Sequence, residues 1–252
     1  MMVGLIGAGN MARALARGWG EPVLCSDNGS GRAEALAAEF GGEALASNAA
    51  LAERADVVVL CHKPAQLDAV AAEVGDRAKA IVSVLGSTGL DALRAAYPGT
   101  PVIRTMPNTP VQVRRGVVCW APAADVDPAL EQALRERFAR LGRVVDVPDA
   151  RIDAASAVMG VTPAYVALIT EAQVDAAVKH GLPAALAADL FVESLAGTAA
   201  LLAARDHDTL AVRREVTSPG GSTARGLAAL EAGGVRAAFL DALAAVMGGR
   251  TP

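Results

Sequence analysis

The feature that most constrains this chain lies within its first dozen residues, where a short apolar run turns into a helical pattern at a glycine. Val3–Ile6 predicts a buried strand, and Gly7, Gly9 and Ala12 then fill the template G-x-G-x-x-G/A. In that template the glycines permit a tight turn and a close approach to a pyrophosphate, while the small third residue lets helix pack on strand. Unpaired N–H groups at the helix N-terminus favour phosphate oxygens. The segment therefore predicts a dinucleotide-binding turn.

An acidic residue follows at the distance that such a turn predicts. Asp27 stands about 20 residues beyond the glycines, at the end of the predicted second strand, Pro22–Ser26. A carboxylate there binds the ribose 2′-hydroxyl of NADH and repels the 2′-phosphate of NADPH. Ser26, Ser30 and Arg32 could instead bind that phosphate if the Asp27 side chain points away. The residues alone leave the cofactor as NADH or NADPH.

Strand and helix patterns alternate through residues 1–148, and only helical patterns follow. Asp56–Cys61 is apolar after its first residue, as expected of a strand buried on both faces. This alternation predicts a doubly wound, mainly parallel sheet. We therefore expect a Rossmann-like α/β domain at residues 1–148 and an all-α domain at residues 149–252.

The predicted helices of the second half are apolar on more than one face. Pro163–Lys179 and Pro183–Ala204 show this most clearly. A helix that is apolar all round must be buried, and about 100 residues cannot bury so many faces alone. We therefore expect this half to pack against a second copy of the chain.

Composition and charge argue against several classes of partner. A formal net charge of −4 gives no reason to expect nucleic acid. We find no basic segment leading into an apolar one and no uninterrupted apolar run of 18 residues, so we expect neither a signal peptide nor a membrane partner. Cys25, Cys61 and Cys119 are odd in number and lie in apolar surroundings. They predict reduced core thiols, no metal site and a cytoplasmic location.

Two segments follow predicted strands at the edge where ligands of such sheets bind. His62-Lys63-Pro64 ends one buried strand, and Lys63 could face ribose or phosphates, or simply be solvated. Arg104–Pro110 follows another strand, and its two prolines stiffen a loop from which Asn108 and Thr109 present polar groups. That loop could support a nicotinamide or a substrate, or it could be only a stiff connection.

A second glycine-rich segment, Val216–Thr223, leads into the predicted helix Ser222–Ala232. Hydroxyl groups and glycines at a helix N-terminus suit a substrate carboxylate. An ordinary helix N-cap is an equally open interpretation, because serine and threonine are favoured there for local reasons.

Taken together, these segments resemble the pyrroline-5-carboxylate reductase family, in that family's order and over nearly the whole chain. The segments that carry the resemblance are Gly7–Ala12, His62–Gln66, Arg104–Pro110, Pro163–Tyr165 and Thr217–Thr223. The resemblance implies a Rossmann domain followed by a helical dimerisation domain, assembled as a dimer or as several dimers. It implies NAD(P)H-dependent reduction of the cyclic imine 1-pyrroline-5-carboxylate to L-proline. The family more often uses NADPH, so the cofactor stays NAD(P)H.

The resemblance and the motifs together predict two sets of site residues. The predicted cofactor-binding residues are Ile6, Gly7, Gly9, Asn10, Met11, Ser26, Asp27, Asn48, Lys63, Pro64 and Asn108. The predicted substrate-binding residues are Ser218, Gly221, Ser222 and Thr223. Thr223 is also the hypothesised catalytic residue, which hydrogen-bonds the imine nitrogen directly or through a water.

The chain departs from the family pattern at several positions. Met159 and Val161 replace two small hydroxyl residues, Thr162 replaces a glycine, and Arg115 replaces a glutamate. These changes make the segment around residue 160 more apolar. They leave open a reductase of another cyclic imine, or a non-catalytic dinucleotide-binding protein.

The β-hydroxyacid dehydrogenases share the two-domain plan but require a lysine in the helical domain. The corresponding position in this chain is Val166. That class is therefore excluded.

Overall fold

The structure is a computed structural model that describes residues 1–123 and 125–248. Its contacts divide the chain into two compact units, of which unit 1 is Met1–Gly160 and unit 2 begins at Val161. The predicted domain boundary at residue 148 lies before the last helix of unit 1 and stays a prediction. Residues 249–252 of the predicted second domain lie outside the described residues.

The described part of unit 1 contains one sheet of eight strands. The strands are β1 (Val3–Ile6), β2 (Leu24–Ser26), β3 (Glu43–Ala44), β4 (Val57–Leu60), β5 (Ile81–Ser83), β6 (Val102–Pro107), β7 (Gly116–Trp120) and β8 (Gly142–Asp146). Their order is β3-β2-β1-β4-β5-β6-β7-β8, and every neighbouring pair is parallel except β6 with β7. The predicted doubly wound, mainly parallel sheet is confirmed. The strand order reverses between β1 and β4, which is where ligands of such sheets bind.

Within the described residues of unit 1, seven α-helices connect or follow these strands. They are α1 (Asn10–Trp19), α2 (Arg32–Phe40), α3 (Asn48–Arg54), α4 (Leu67–Val74), α5 (Leu90–Ala96), α6 (Pro128–Ala139) and α7 (Ile152–Met159). Local signals place several of the ends: the Ser47 side chain accepts from the Ala50 N–H at the start of α3, and Asp127 caps α6 ahead of Pro128. The sequence predictions missed β3 and α7, both of which are short.

The core of unit 1 lies on both faces of the sheet. In β4, Val57 and Val59 belong to the cluster on one face, whereas Val58 and Leu60 belong to the cluster on the other. Successive side chains of a strand point to opposite faces, so an uninterrupted apolar run is buried on both sides. The buried sheet holds its strand ends, and the loops that follow them, in fixed positions.

Unit 2 is helical over its described residues. Its helices are α8 (Thr162–Lys179), α9 (Ala184–Ala204), α10 (Thr209–Glu215), α11 (Ser222–Ala232) and α12 (Val235–Val246). The predicted all-α second part is confirmed over the described residues.

Unit 2 exposes much apolar surface in the single chain. Among the described residues, α8 buries none and α9 buries only Ala187. Leu168, Leu190 and Leu240 are 63%, 52% and 71% exposed. By length and composition alone, the helical stretches Asp149–Lys179 and Ala184–Ala204 could cross a membrane. The same properties are expected of helices that a partner chain covers.

Candidate functional site

A cavity of about 690 Å³ lies at the carboxyl ends of β1, β2, β4 and β5 in unit 1. Its volume is in the range of small-molecule and cofactor sites. Nine of the eleven predicted cofactor-binding residues line it: Ile6, Gly7, Gly9, Asn10, Met11, Asp27, Asn48, Lys63 and Pro64. The other two, Ser26 and Asn108, do not. Contact of any of these residues with a cofactor stays a prediction.

The glycine turn leaves one end of α1 open to the cavity. Gly7 has φ +94°, and a Cβ there would lie 2.7 Å from the backbone nitrogen of His62, so only glycine fits. Gly9 is the extended N-cap of α1, and no side chain caps the helix from that position. A Cβ on Gly9 would meet nothing within 4 Å. The first N–H groups of α1 are therefore available to an anion.

The turn between β2 and α2 is organised around the Asp27 carboxylate. Its Oδ1 accepts from the Gly29 N–H at 2.8 Å. Its Oδ2 accepts from the Ser30 hydroxyl at 2.7 Å and from the N–H groups of Arg32 and Ala33 at 2.9 and 3.1 Å. Burial works to raise the pKa of Asp27, but these hydrogen bonds outweigh it and the pKa lies below its usual value. Asp27 is thus ionised and lines the cavity while bound to its own turn.

Two polar side chains next to this turn are tied together. The Ser26 hydroxyl donates to Asn48 Oδ1 at 2.7 Å, and Asn48 Nδ2 donates to Glu73 Oε2 at 2.6 Å. Ser26 is fully buried, so it orients Asn48 and does not face the cavity. Glu73 does line the cavity, and the sequence analysis missed it. No sequence motif marks Glu73, because its partner Asn48 lies 25 positions earlier in the chain.

The segment after β4 brings basic and aromatic nitrogen groups to the cavity. The Lys63 ammonium makes no hydrogen bond or ion pair with another described residue. The backbone N–H of Lys63 donates to Gln66 Oε1 at 3.2 Å. His62 Nδ1 lies 2.9 Å from the Lys63 carbonyl, which can only accept, so Nδ1 carries the proton. Burial lowers the pKa of His62, although the bond to Lys63 opposes this. Lys63 is therefore the residue of this segment that can contact a phosphate.

Asn108 is buried and serves the packing of unit 1. Its Nδ2 donates to the Met159 carbonyl at 3.1 Å, and its Oδ1 accepts from the Val117 N–H at 2.8 Å. Asn108 and Thr109 were both expected to present polar groups from this loop. Both ends of the Asn108 amide bind within unit 1, whereas Thr109 lines the cavity as expected.

The predicted substrate residues gather at one turn of unit 2. Gly221 is the extended N-cap of α11, and no side chain caps the helix from that position. The Gly221 N–H donates to the Ser218 carbonyl at 3.0 Å, which closes the turn. Ser222 and Thr223 are the first two residues of α11. The turn therefore combines hydroxyl groups with open helix N–H groups, as a carboxylate site requires.

A glycine turn with an open helix N-terminus, at the point where a doubly wound parallel sheet reverses its strand order, is the arrangement of the Rossmann-type dinucleotide-binding domains, the cofactor domains of many oxidoreductases. Two family models agree with that class. Residues 2–87 match the model described as NADP oxidoreductase, coenzyme F420-dependent, and residues 149–249 match pyrroline-5-carboxylate reductase dimerisation.

Curated relatives and solved structures narrow the class. Pyrroline-5-carboxylate reductase of Synechocystis is 34% identical over 97% of this chain and 95% of its own length. That of Thermus thermophilus shows the same identity and coverage. The structure of the Plasmodium falciparum enzyme with NADP bound covers 98% of this chain and 95% of its own, with a TM-score of 0.88 at 25% identity. The Streptococcus pyogenes enzyme gives 0.88 at 26% identity, over 98% and 96% of the two chains. This chain belongs to the pyrroline-5-carboxylate reductase family.

Proposed function

We propose that this chain reduces the cyclic imine 1-pyrroline-5-carboxylate to L-proline, with NADH or NADPH as the hydride donor. The observation that carries the proposal is the open N-terminus of α1 at the cavity, in a chain that matches pyrroline-5-carboxylate reductases along 97% of its length. The match covers both the cofactor-binding part and the helical part of the chain, so both parts support this activity.

The residues around the cavity fit a dinucleotide. The N–H groups at the start of α1 bind the pyrophosphate, and the unpaired Lys63 ammonium adds a positive charge beside it. When bound, the reduced nicotinamide supplies the hydride. Asn48, held by Ser26 and Glu73, presents its remaining N–H and lone pair to the adenosine part.

The turn before α11 fits the substrate. The open N–H groups of α11 bind the substrate carboxylate, with Ser218 and Ser222 beside them. Thr223 hydrogen-bonds the imine nitrogen, directly or through a water. A protonated imine is already electrophilic, so the hydride adds to its carbon and the nitrogen becomes a secondary amine. The protein's main task is to hold that carbon about 3–3.5 Å from the hydride carbon and to exclude water.

We propose a homo-oligomer built from dimers through unit 2, in the cytoplasm. The nearly unburied helices α8 and α9 and the dimerisation model over residues 149–249 support the assembly. Cys25, Cys61 and Cys119 are free thiols, as a reducing compartment allows.

We place the boundary between the two functional parts at residue 148. The dimerisation model begins at residue 149, which supports this boundary. The compact units divide later, after Gly160, because α7 packs on β7 of unit 1. Helix α7 thus falls within the residues that match the dimerisation model, but its contacts place it in unit 1.

The direct test follows the absorbance of NADH and NADPH with purified protein and freshly prepared DL-1-pyrroline-5-carboxylate. Turnover with a kcat/KM of about 10⁴ M⁻¹s⁻¹ or more is ordinary for an enzyme on its own substrate. Thr223→Val should lower kcat/KM about tenfold or more, and Thr223→Ser should retain most of it, because only the hydroxyl is needed. Cofactor binding without turnover of the imine would refute the proposal.

A related candidate is the reduction of another cyclic imine. Met159 and Val161 favour it, since both replace hydroxyl residues of the family. The Met159 side chain packs against the buried core cluster of unit 1, so that replacement is accommodated by apolar contacts. Six-membered and sulfur-containing cyclic imines should be tested in the same assay, and faster turnover of one of them would identify it as the substrate.

A further inference from the structure

We propose that Asp27 makes this chain prefer NADH over NADPH, because its carboxylate fills the anion-binding turn that a 2′-phosphate would need. The inference rests on the proposed function, since it concerns the adenosine end of the same cavity. It chooses between the two cofactors that the sequence left open.

Four donors of the β2–α2 turn already bind the Asp27 carboxylate. Three backbone N–H groups and one hydroxyl converge on the Asp27 carboxylate at 2.7–3.1 Å. Convergent N–H groups of this kind form an anion nest, the arrangement that holds phosphate in many proteins. Here an internal carboxylate occupies the nest, so a 2′-phosphate would have to displace it.

The two oxygens of Asp27 differ in what they can still bind. Oδ2 accepts from Ser30, Arg32 and Ala33 and has no acceptor capacity left. Oδ1 accepts only from Gly29 and keeps room for another donor. A ribose 2′-hydroxyl is such a donor, whereas a phosphate offers only acceptor oxygens and negative charge.

A second carboxylate strengthens the preference for NADH over NADPH. Glu73 lines the same cavity, and its Oε2 is bound to Asn48, which is bound in turn to Ser26, the residue before Asp27. The chain of bonds holds Glu73 beside the end of β2. Two carboxylates near the adenosine ribose repel a phosphate there, and the repulsion is stronger in a partly enclosed cavity than in water.

Arg32 is the group that favours a phosphate. Its guanidinium lines the cavity and forms no hydrogen bond or ion pair with another described residue. It is exposed, so ordering the side chain costs conformational entropy and solvent screens its charge. We therefore expect Arg32 to weaken the preference for NADH without reversing it.

The test measures the Kd of NADH and of NADPH from the fluorescence of the reduced nicotinamide, with the full chain and without imine. We expect NADH to bind about tenfold more tightly than NADPH, which corresponds to about 1.4 kcal/mol. Asp27→Ser removes the charge and frees the nest, so NADPH should become the tighter ligand. Asp27→Asn keeps an acceptor for the turn without the charge, and should give an intermediate ratio. If Asp27→Ser does not fold, Asp27→Asn alone tests the inference.

Two controls accompany these variants. Asp68→Ser makes the same change on α4 outside the cavity lining and should leave the ratio of the two Kd values unchanged. Arg32→Ala should raise the Kd of NADPH and leave that of NADH nearly unchanged. Equal or tighter binding of NADPH by the unaltered chain, or an unchanged ratio in both Asp27 variants, would overturn the inference.

The binding measurement separates this inference from the proposed function. If the reductase proposal fails, NADH still binds more tightly but no imine is turned over. If the inference fails, turnover is normal and the ratio of the two Kd values is wrong.

Discussion

Arg104→Met removes a buried cation that joins three elements of unit 1. The Arg104 side chain on β6 is 3% exposed. Its guanidinium binds Asp149 at 2.8 Å, in the turn just before α7, and Asp153 at 2.6 Å, in the first turn of α7. Asp149 also accepts from the Leu90 N–H at the start of α5. Methionine replaces the aliphatic part of the side chain and leaves the two carboxylates without a cation.

The magnitude follows from the exposure of the two acids. Breaking a fully buried ion pair costs about 3–5 kcal/mol, because a charge is left without a partner in a medium of low dielectric. Asp149 and Asp153 are 34% and 46% exposed, so water can rehydrate both. We therefore expect a loss of about 2–3 kcal/mol in the free energy of unfolding. At roughly 2–4 °C per kcal/mol for a chain of this size, the Tm should fall by roughly 5–10 °C.

The assay is urea unfolding at a fixed protein concentration, followed by circular dichroism, because an oligomer's stability depends on concentration. Arg94→Met is a matched control. Arg94 pairs with Asp125 at 2.6 Å, but the two side chains are 39% and 55% exposed. Its loss should cost less than about 1 kcal/mol. Equal losses in the two variants would show that burial of Arg104 does not determine its contribution.

Three further predictions concern the cavity. Gly9→Ala should weaken cofactor binding but leave the Tm nearly unchanged, because the added Cβ meets nothing within 4 Å. Gly7→Ala should lower both the Tm and the cofactor affinity, since its Cβ would clash with His62. Lys63→Met should raise the cofactor Kd severalfold at low salt and less at high salt, as titrations at two ionic strengths would show. The pKa of Asp27 is lowered in the folded chain, so its contribution to stability is present above the unfolded pKa and is lost as the pH falls. Acid unfolding below about pH 4 should therefore be steeper in the unaltered chain than in Asp27→Asn.

Much of the fold could be predicted because local signals determine it. Strand β1 and helix α11 have the predicted bounds, and each ends next to a glycine. The element β3 was missed because two residues show no periodicity. Helix α7 was missed because its eight residues follow the last strand without a capping side chain.

In the candidate site, too, features set by neighbouring residues could be predicted and those set by distant residues could not. The turn at Gly7 and Gly9 was predictable, because neighbouring residues define its backbone. The role of Asn108 was not, since its amide binds Met159, 51 positions away. Glu73 is held at the cavity by the hydrogen bond that Asn48, 25 positions earlier, donates to its carboxylate.

The amino-acid sequence by itself determined the dinucleotide turn, the doubly wound sheet and the helical second half, because these depend on short-range backbone preferences and on periodic apolar burial. It indicated the family through the resemblance of its short motifs. Only the tertiary structure decided where the polar side chains go. Asp27 illustrates the difference: its position after β2 is visible in the sequence, but the hydrogen bonds to its turn exist only once Gly29 and the start of α2 have folded around it. A side chain's partners depend on which groups burial brings within about 3 Å, and that distance is a property of the folded chain.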